Sequence, residues 1–146
     1  MIVRPARLED HAAWAAMRQR LWDDFDPAAL EAELAGLEAL QTPYATLVAE
    51  AEGGLVGFAE VSVRSVAEGA PPGPAAYLEG LWVEPAHRRR GVGRALLAAA
   101  EAWARGLGLS HLGSDVLLDN ALGQRWHRGA GFAEVERLVV FGKALS

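Results

Sequence analysis

Apolar residues recur at helical spacing in three segments of the chain, and Gly129 and Gly131 end a fourth, short helical segment. The clearest stripe is formed by Leu96, Leu97, Ala100 and Trp103, and Gly106 follows it as a typical helix end. Acidic residues before the first segment and a proline at the start of the second are typical helix starts. The pattern predicts helices over residues 9–22, 27–40, 91–105 and 120–128.

Stretches rich in β-branched and aromatic residues predict the strands that lie between these helices. Gly53 and Gly54 predict a hairpin turn, and the glycines and prolines of residues 65–74 predict a loop. The predicted strands cover residues 2–4, 46–51, 55–63, 76–83 and 109–116, with a final strand or hairpin over 132–141. This order of elements predicts one mixed α/β domain that spans residues 1–146.

The composition narrows the classes of function. The chain of 146 residues has a formal net charge of −5, no cysteine and four scattered histidines, so we expect no disulfide, thiol chemistry or metal site. The negative charge disfavours a nucleic-acid binder. No apolar run approaches the roughly 20 residues of a membrane span, and the charged N-terminus lacks a signal-peptide core. We expect a cytoplasmic enzyme or binding domain with no nucleic-acid or membrane partner.

The segment "WVEPAHRRRGVGRALLAAAEAWA" places arginines and glycines where a strand leads into a helix. A helix N-terminus has backbone N–H groups without partners and a partial positive charge. Glycines at positions 91 and 93 let a bulky anion approach this backbone, and arginines add charge for phosphate oxygens. The segment is not a Walker A loop, because the lysine-serine end of that motif is missing. It is not a Rossmann fingerprint either, because the third glycine is missing. The segment predicts a pyrophosphate site; the alternative is an exposed basic turn that caps a helix.

Two motifs in this order resemble the GNAT superfamily of N-acetyltransferases. "VEPAHRRRGVGRALL" is similar to the superfamily's acetyl-CoA-binding segment, and "ALGQRWHRGAGFAEVER" to its closing motif. The resemblance implies a mixed, mostly antiparallel sheet with a splayed parallel strand pair and about four helices. It also implies acetyl-CoA as the donor. The residues that it assigns to the cofactor are Leu81, Trp82, Val83, Arg88, Arg89, Arg90, Gly91, Val92, Gly93, Arg94 and Asn120.

Several shorter pieces resemble one subgroup, the aminoglycoside 6′-N-acetyltransferases. They are "MRQRLW", "YLEGLWV", "SDVLLDN", "WHRGAGF" and "VERLVVF". The resemblance implies a small cationic amine as the substrate, bound by acidic and aromatic side chains, and a homodimer to which the apolar residues 138–141 could contribute. The substrate-binding candidates are Trp22, Glu68, Glu79, Asp115 and Glu136. The alternatives are core packing for Trp22, a solvated loop charge for Glu68 and a solvent-facing strand charge for Glu136.

Acetyl transfer requires that the amine lose a proton, that a donor bind the thioester oxygen and that the thiolate gain a proton. Strand alternation predicts that Glu79 shares a face with Leu81 and Val83, where it is either an amine-site residue or an ion-paired or exposed edge carboxylate. The resemblance assigns the substrate ammonium to Asp115, which is a catalytic candidate with Glu79 and His127; the alternative is a helix-capping or turn aspartate. His127 stands where many superfamily members have a tyrosine that donates a proton to the thiolate. His127 could donate this proton instead, and the alternative is a structural role.

Three functions remain open at this point. The first is acetylation of an aminoglycoside 6′-amine by direct transfer in a ternary complex, since no cysteine is present to hold the acetyl group. The second is acetylation of a polyamine, an amino acid or a protein amine. The third is a non-catalytic acyl-CoA sensor.

Overall fold

Five strands form one mixed sheet in the computed structural model, which describes residues 1–146. The chain is divided into two compact units, Met1–Ser114 and Asp115–Ser146, and the sheet belongs to the first unit. The first four strands pair antiparallel in chain order, and the fifth lies parallel to the fourth at the edge of the sheet. The strands are β1 (Ile2–Pro5), β2 (Tyr44–Ala51), β3 (Gly54–Arg64), β4 (Ala75–Val83) and β5 (Leu112–Ser114).

Three helices cover the two faces of this sheet, namely α1 (His11–Leu21), α2 (Leu30–Leu40) and α3 (Val92–Gly106). Phe58 of β3 belongs to one buried cluster with Trp14 of α1 and Leu30 of α2. A Cβ added to its neighbour Gly57 would lie 3.2 Å from Leu96 Cδ1 of α3. Since successive strand residues face opposite sides of a sheet, α1 and α2 cover one face and α3 covers the other.

The core of the first unit is apolar on both sides of the sheet. The largest side chains with almost no exposed surface are Phe58, Met17, Leu96, Val48 and Val61. Burial of one such side chain contributes about 1.5–3 kcal/mol. This packing fixes the strands and helices that position the candidate site.

A buried carboxylate joins the first strand to the first helix. Asp10 accepts hydrogen bonds from the Arg4 guanidinium at 2.7 Å and 3.0 Å and from the backbone N–H of Arg7 at 2.7 Å. The hydrogen bonds from Arg4 are the largest cause that holds the pKa of Asp10 below its usual value, and burial opposes them. The charged carboxylate therefore stabilises the chain reversal before α1.

Strand β4 contains one extra residue relative to β3. Glu60 pairs with Gly80, but the next residue of β3, Val61, pairs with Leu78. Glu79 is therefore left without a partner across the ladder. Such a bulge bends the strand and changes the direction of the side chains around it.

The bulge makes the prediction from strand alternation wrong for Glu79. Its carboxylate accepts a hydrogen bond from Ser62. Ser62 lies four residues from Phe58 on β3, so both point to the face that α1 covers. Leu81 and Val83 pair with Ala59 and Gly57 and point to the opposite face.

The second unit contains one helix, α4 (Ala121–Gly129), which completes the four helices of the chain. The side chain of Asn120 caps this helix, since Oδ1 accepts a hydrogen bond from the Gly123 N–H at 2.9 Å. With the mostly antiparallel sheet and its parallel strand pair, these helices confirm the predicted fold class.

Two predicted strands differ from the structure. The strand predicted over 109–116 is reduced to the three residues of β5, because pairing with β4 stops at Leu78, next to the bulge. The strand or hairpin predicted over 132–141 is wrong here, since residues 130–146 form neither helix nor strand. No neighbouring strand pairs with this segment, and Phe141 is 90% exposed. A strand is stable only when another strand takes up its backbone hydrogen bonds.

Candidate active site

The loop between β4 and α3 places backbone N–H groups beside open space. Arg89 and Gly91 adopt left-handed conformations, with φ of 63° and 83°. A left-handed conformation costs a residue such as arginine about 1–2 kcal/mol, and strain of this kind is common at ligand-binding loops. No side chain caps α3, and a Cβ added to Gly91 would meet no atom within 4 Å. The first N–H groups of α3 and the space beside Gly91 therefore suit an anion.

The four arginines around this loop differ in their contacts. The Arg88 guanidinium lies 4.8 Å from the centroid of the Trp82 ring, and its Nε donates to the carbonyl of Val83 at 2.9 Å. Arg88 thus holds the end of β4. The other three are exposed and have no hydrogen-bond or ion-pair partner within the chain, which leaves their charges available to phosphate oxygens: Arg89, Arg90 and Arg94.

One edge of β4 is left without a pairing strand near this loop. β5 pairs only with Ala76–Leu78. The N–H of Glu84, just beyond the strand, donates to the carbonyl of Val56 on the β3 side at 2.8 Å. Because N–H groups alternate between the two edges of a strand, those of Val83 and Leu81 point to the other edge. This edge therefore presents backbone groups that an extended ligand could pair with.

Glu79 lies at the bulge of β4 with three hydrogen-bond donors around its carboxylate. Ser62 Oγ donates to Oε2 at 2.6 Å, Arg64 Nε donates to Oε2 at 3.0 Å, and Arg64 Nη2 donates to Oε1 at 2.7 Å. The Arg64 guanidinium lies 3.5 Å from the centroid of the Tyr77 ring. Glu79 is thus an ion-paired carboxylate, and its side chain remains 30% exposed.

Trp22 follows α1 and packs against β4 next to the bulge. A Cβ added to Gly80 would lie 2.5 Å from the Trp22 ring, so the indole lies directly against this glycine. Trp22 contacts Phe58 edge to face, with ring centroids 6.4 Å apart. The Arg18 guanidinium lies 5.0 Å from the centroid of the Trp22 ring. The structure therefore brings two predicted substrate residues, Trp22 and Glu79, to the same face of the sheet.

A buried ion-pair network fixes α1 to the sheet beside Trp22. Arg18 is 9% exposed, and it donates to Glu60 of β3 at 2.6 Å and 2.9 Å and to Glu33 of α2 at 2.6 Å. Trp14 Nε1 also donates to Glu60, at 3.0 Å. Burial disfavours the charged guanidinium, but the hydrogen bonds and charges of Glu60 and Glu33 outweigh it and raise the pKa of Arg18.

An open recess of about 240 Å³ lies beside this network. Two aromatic rings and two carboxylates form its walls, together with one guanidinium. Aromatic faces and carboxylates are the groups that bind a cationic ring-shaped molecule. The lining residues are Arg18, Trp22, Asp24, Phe25 and Glu33.

The remaining substrate candidates lie elsewhere in the chain. Glu68 is exposed in the loop between β3 and β4, where it makes no ion pair. Asp115 and Glu136 belong to the second unit, and both are exposed. Glu136 lies in the irregular terminal segment beside the ion pair of Arg137 with Glu134.

His127 is held by its own helix. Its Nδ1 lies 2.6 Å from the carbonyl oxygen of Gly123, and its ring contacts Trp126 and Phe132 edge to face. Because a carbonyl can only accept, Nδ1 carries the proton in this contact. In the neutral ring Nε2 is then an acceptor, so His127 could donate a proton from Nε2 only as an imidazolium.

The sequence pattern alone does not assign to the site the residues that hold Glu79 and Trp22 in place. These residues are Ser62, Arg64 and Gly80. One signal was available, since Glu60, Ser62 and Arg64 are polar at alternate positions of an otherwise apolar strand. Such alternation predicts a polar stripe on one face that a neighbouring carboxylate could join.

The structure contains neither a cluster of candidate metal ligands nor a helix suited to crossing a membrane. No group of three or more His, Asp or Glu side chains is arranged to hold a metal ion. None of the helices combines the length and the hydropathy that crossing a membrane requires.

The chain is similar to known acetyltransferases over almost its whole length. Residues 14–132 match the sequence model of the acetyltransferase (GNAT) family. An aminoglycoside N(6′)-acetyltransferase type 1 of Klebsiella aerogenes is 42% identical, over 99% of this chain and 97% of that protein. Another of the same description, from Stenotrophomonas maltophilia, is 40% identical over 95% of this chain and 90% of that protein.

Solved structures show the same fold. The apo structure of an aminoglycoside 6′-N-acetyltransferase from Acinetobacter haemolyticus gives a TM-score of 0.89 at 33% identity, over 100% of both chains. A second enzyme, in complex with the bisubstrate analogue CoA-S-monomethyl-acetylneamine, gives a TM-score of 0.87 at 32% identity. This match covers 99% of this chain and 98% of that one.

Proposed function

Because the chain belongs to the GNAT acetyltransferase family, whose donor is acetyl-CoA, we propose that it acetylates the 6′-amine of aminoglycosides. The observation on which this rests is the 42% identity with an aminoglycoside N(6′)-acetyltransferase over 99% of the chain. The aromatic and acidic face around Trp22 and Glu79 supports a cationic sugar as the acceptor.

The donor half of the proposed site is the region around the N-terminus of α3. The backbone N–H groups that start α3 and the exposed Arg89, Arg90 and Arg94 would bind the pyrophosphate of acetyl-CoA. The N–H groups of Leu81 and Val83 at the unpaired edge of β4 would bind the pantetheine arm. Asn120 is assigned to this arm by resemblance alone, since its Oδ1 caps α4.

The candidates for binding the acceptor are one aromatic and four acidic side chains. Trp22 would present its ring to a sugar, and Glu79 would accept a hydrogen bond from the amine. Glu68, Asp115 and Glu136 would attract the other ammonium groups of a polycationic substrate.

Acetyl-CoA supplies an acetyl thioester, and the residues of the chain prepare the amine to attack it. An amine is mostly protonated at neutral pH, so a carboxylate or a bound water must take up one proton before attack. Glu79 and Asp115 are the candidates for this step. The outward-pointing N–H of Val83 would donate to the thioester oxygen, and it is preorganised by the strand. Transfer is direct, because the chain has no cysteine to form an acyl-enzyme.

The leaving thiolate must then gain a proton, and the candidate donor of this proton is His127. Its Nδ1 contact with Gly123 suits a structural role in α4. We therefore propose that loss of this side chain weakens the helix more than it slows proton transfer.

We also propose a homodimer that works in the cytoplasm, where acetyl-CoA is available. The apolar residues Leu138, Val139, Val140 and Phe141 are 60% to 90% exposed in the single chain. A second copy of the chain would bury them.

The proposed function is tested by measuring thiol release from acetyl-CoA by the purified protein. The panel contains aminoglycosides of the kanamycin and neomycin types, polyamines and peptides. Release with the aminoglycosides and little with the others is expected. Thiol release only with polyamines or peptides would mean that one of these, and not an aminoglycoside, is the substrate. Binding of acetyl-CoA without any release would instead favour a non-catalytic sensor.

A further inference from the structure

We propose that Arg64 is a positioning residue for the amine substrate, because it fixes the direction in which the Glu79 carboxylate accepts a hydrogen bond. The inference rests on the proposed function, since it assigns the amine to Glu79. It adds a residue that neither the family motifs nor the sequence pattern assign to the site.

The hydrogen bonds around Glu79 leave a defined acceptor position. A carboxylate has about four acceptor positions, two on each oxygen. Oε2 accepts from Ser62 and from Arg64 Nε, which fills both of its positions. Oε1 accepts only from Arg64 Nη2, at 2.7 Å. One position therefore remains, on Oε1, and the two bonds from one planar guanidinium fix the plane in which it lies.

Arg64 is itself held in place by a buried ring. Its guanidinium stacks 3.5 Å from the centroid of Tyr77, which is 5% exposed. Gly113 of β5 packs against the same ring, since an added Cβ would lie 2.9 Å from Tyr77 Cδ1. The contacts run from the edge strand through Tyr77 and Arg64 to Glu79, so a solvent-accessible carboxylate has a rigid support.

The charge of Arg64 also separates two tasks of the site. Paired with a guanidinium, Glu79 contributes little net charge to attract a polycation at a distance. That attraction is left to the acidic residues without such a partner, such as Glu68. Glu79 contributes direction, which places the amine for attack, and a loss of direction lowers kcat more than it raises KM.

The test compares Arg64→Met and Arg64→Lys with the wild type, using a 6′-amino aminoglycoside. Arg64→Met is expected to lower kcat by about tenfold or more, with KM raised by less than about threefold and an unchanged Kd for acetyl-CoA. Arg64→Lys keeps the positive charge but loses the bidentate contact with Glu79. Its kcat is therefore expected to lie between those of the wild type and Arg64→Met. Arg105→Met is the matched control, because Arg105 pairs with Glu101 on the exposed side of α3. It is expected to change neither constant.

A double-mutant cycle shows whether the two side chains act as one unit. In a Glu79→Gln background, Arg64→Met is expected to lower kcat by no more than about a further twofold. Full multiplication of the two effects would overturn the inference. So would an unchanged or higher kcat/KM in Arg64→Met, which would mean that Arg64 competes with the amine for Glu79.

Two further outcomes are decisive. If Arg64→Met does not fold, Ser62→Ala takes its place. This variant frees one acceptor position on Oε2, in addition to the open position on Oε1, and is expected to lower kcat by about threefold. An unchanged kcat in Ser62→Ala would overturn the inference. If the wild type shows no turnover with any aminoglycoside, the proposed function fails and the inference fails with it. A normal wild type with unaffected Arg64 variants overturns the inference alone.

Discussion

At the scale of single residues, Gly80 sets how closely Trp22 can approach the sheet. An added Cβ would lie 2.5 Å and 2.6 Å from Cζ2 and Cη2 of the indole. The ring cannot easily move, because it also contacts Phe58 and Arg18. A larger residue at position 80 would push Trp22 away from the face that presents Glu79.

The Gly80→Ala variant is expected to be less stable than the wild type by about 1–3 kcal/mol, since it overpacks a rigid contact. Urea unfolding measures this change. Gly36→Ala is the matched control, because this glycine lies in α2 with no atom within 4 Å of an added Cβ. It is expected to stabilise the chain by about 0.5–1 kcal/mol. Equal stability of Gly80→Ala and wild type would show that Trp22 does not lie against Gly80.

Single residues could be predicted from the sequence only where their role is local. The position of the arginines and glycines between β4 and α3 could be predicted, because a helix start depends on few distant partners. The predicted face of Glu79 is wrong, because alternation along β4 alone does not reveal that this strand has one residue more than the neighbouring strand β3. The bond from Arg18 to Glu60 spans 42 positions, and nothing in either segment alone indicates it.

At the scale of elements, the transition from β4 to α3 combines an unpaired strand edge with an uncapped helix start. Both offer backbone N–H groups, and the exposed arginines surround the second of them. The order of strand, loop and helix could be predicted from the sequence because proline, glycine and the apolar stripe mark its boundaries locally. The three-residue length of β5 could not, because it depends on where β4 bulges.

The Arg90→Glu variant is expected to weaken the binding of acetyl-CoA by at least about tenfold, since it places a negative charge where phosphate oxygens would bind. Titration calorimetry with acetyl-CoA measures the Kd. Arg105→Glu makes the same change of charge at the other end of α3, and it is expected to leave the Kd unchanged. A Kd unaffected by Arg90→Glu would remove the loop from the donor site.

At the scale of the whole molecule, the terminal segment has no pairing strand within the chain. Residues 130–146 form no regular structure, although "RLVVF" has the composition of a strand. The composition predicts a strand here, but the sequence does not show that no other strand of the chain pairs with it. Its apolar side chains are exposed in the single chain, which is unfavourable in water.

The wild type is expected to sediment as a dimer in analytical ultracentrifugation, and Phe141→Glu is expected to shift it to the monomer. Phe141 is 90% exposed, so the substitution would place a charge in the buried interface of a dimer without disturbing the single chain. Leu40→Glu is the control, because Leu40 is 72% exposed at the end of α2. A monomeric wild type, or a Phe141→Glu variant that remains dimeric, would contradict the proposed assembly.

The most direct measurement of the central claim compares two aminoglycosides that differ at the 6′ position alone. Neomycin has an amine there and paromomycin a hydroxyl. Purified protein, acetyl-CoA and each compound are incubated, and the product is mapped by NMR. We expect a single acetyl group on the 6′ nitrogen of neomycin and no turnover of paromomycin. Equal acetylation of both compounds, or an acetyl group at another nitrogen, would contradict a 6′-N-acetyltransferase.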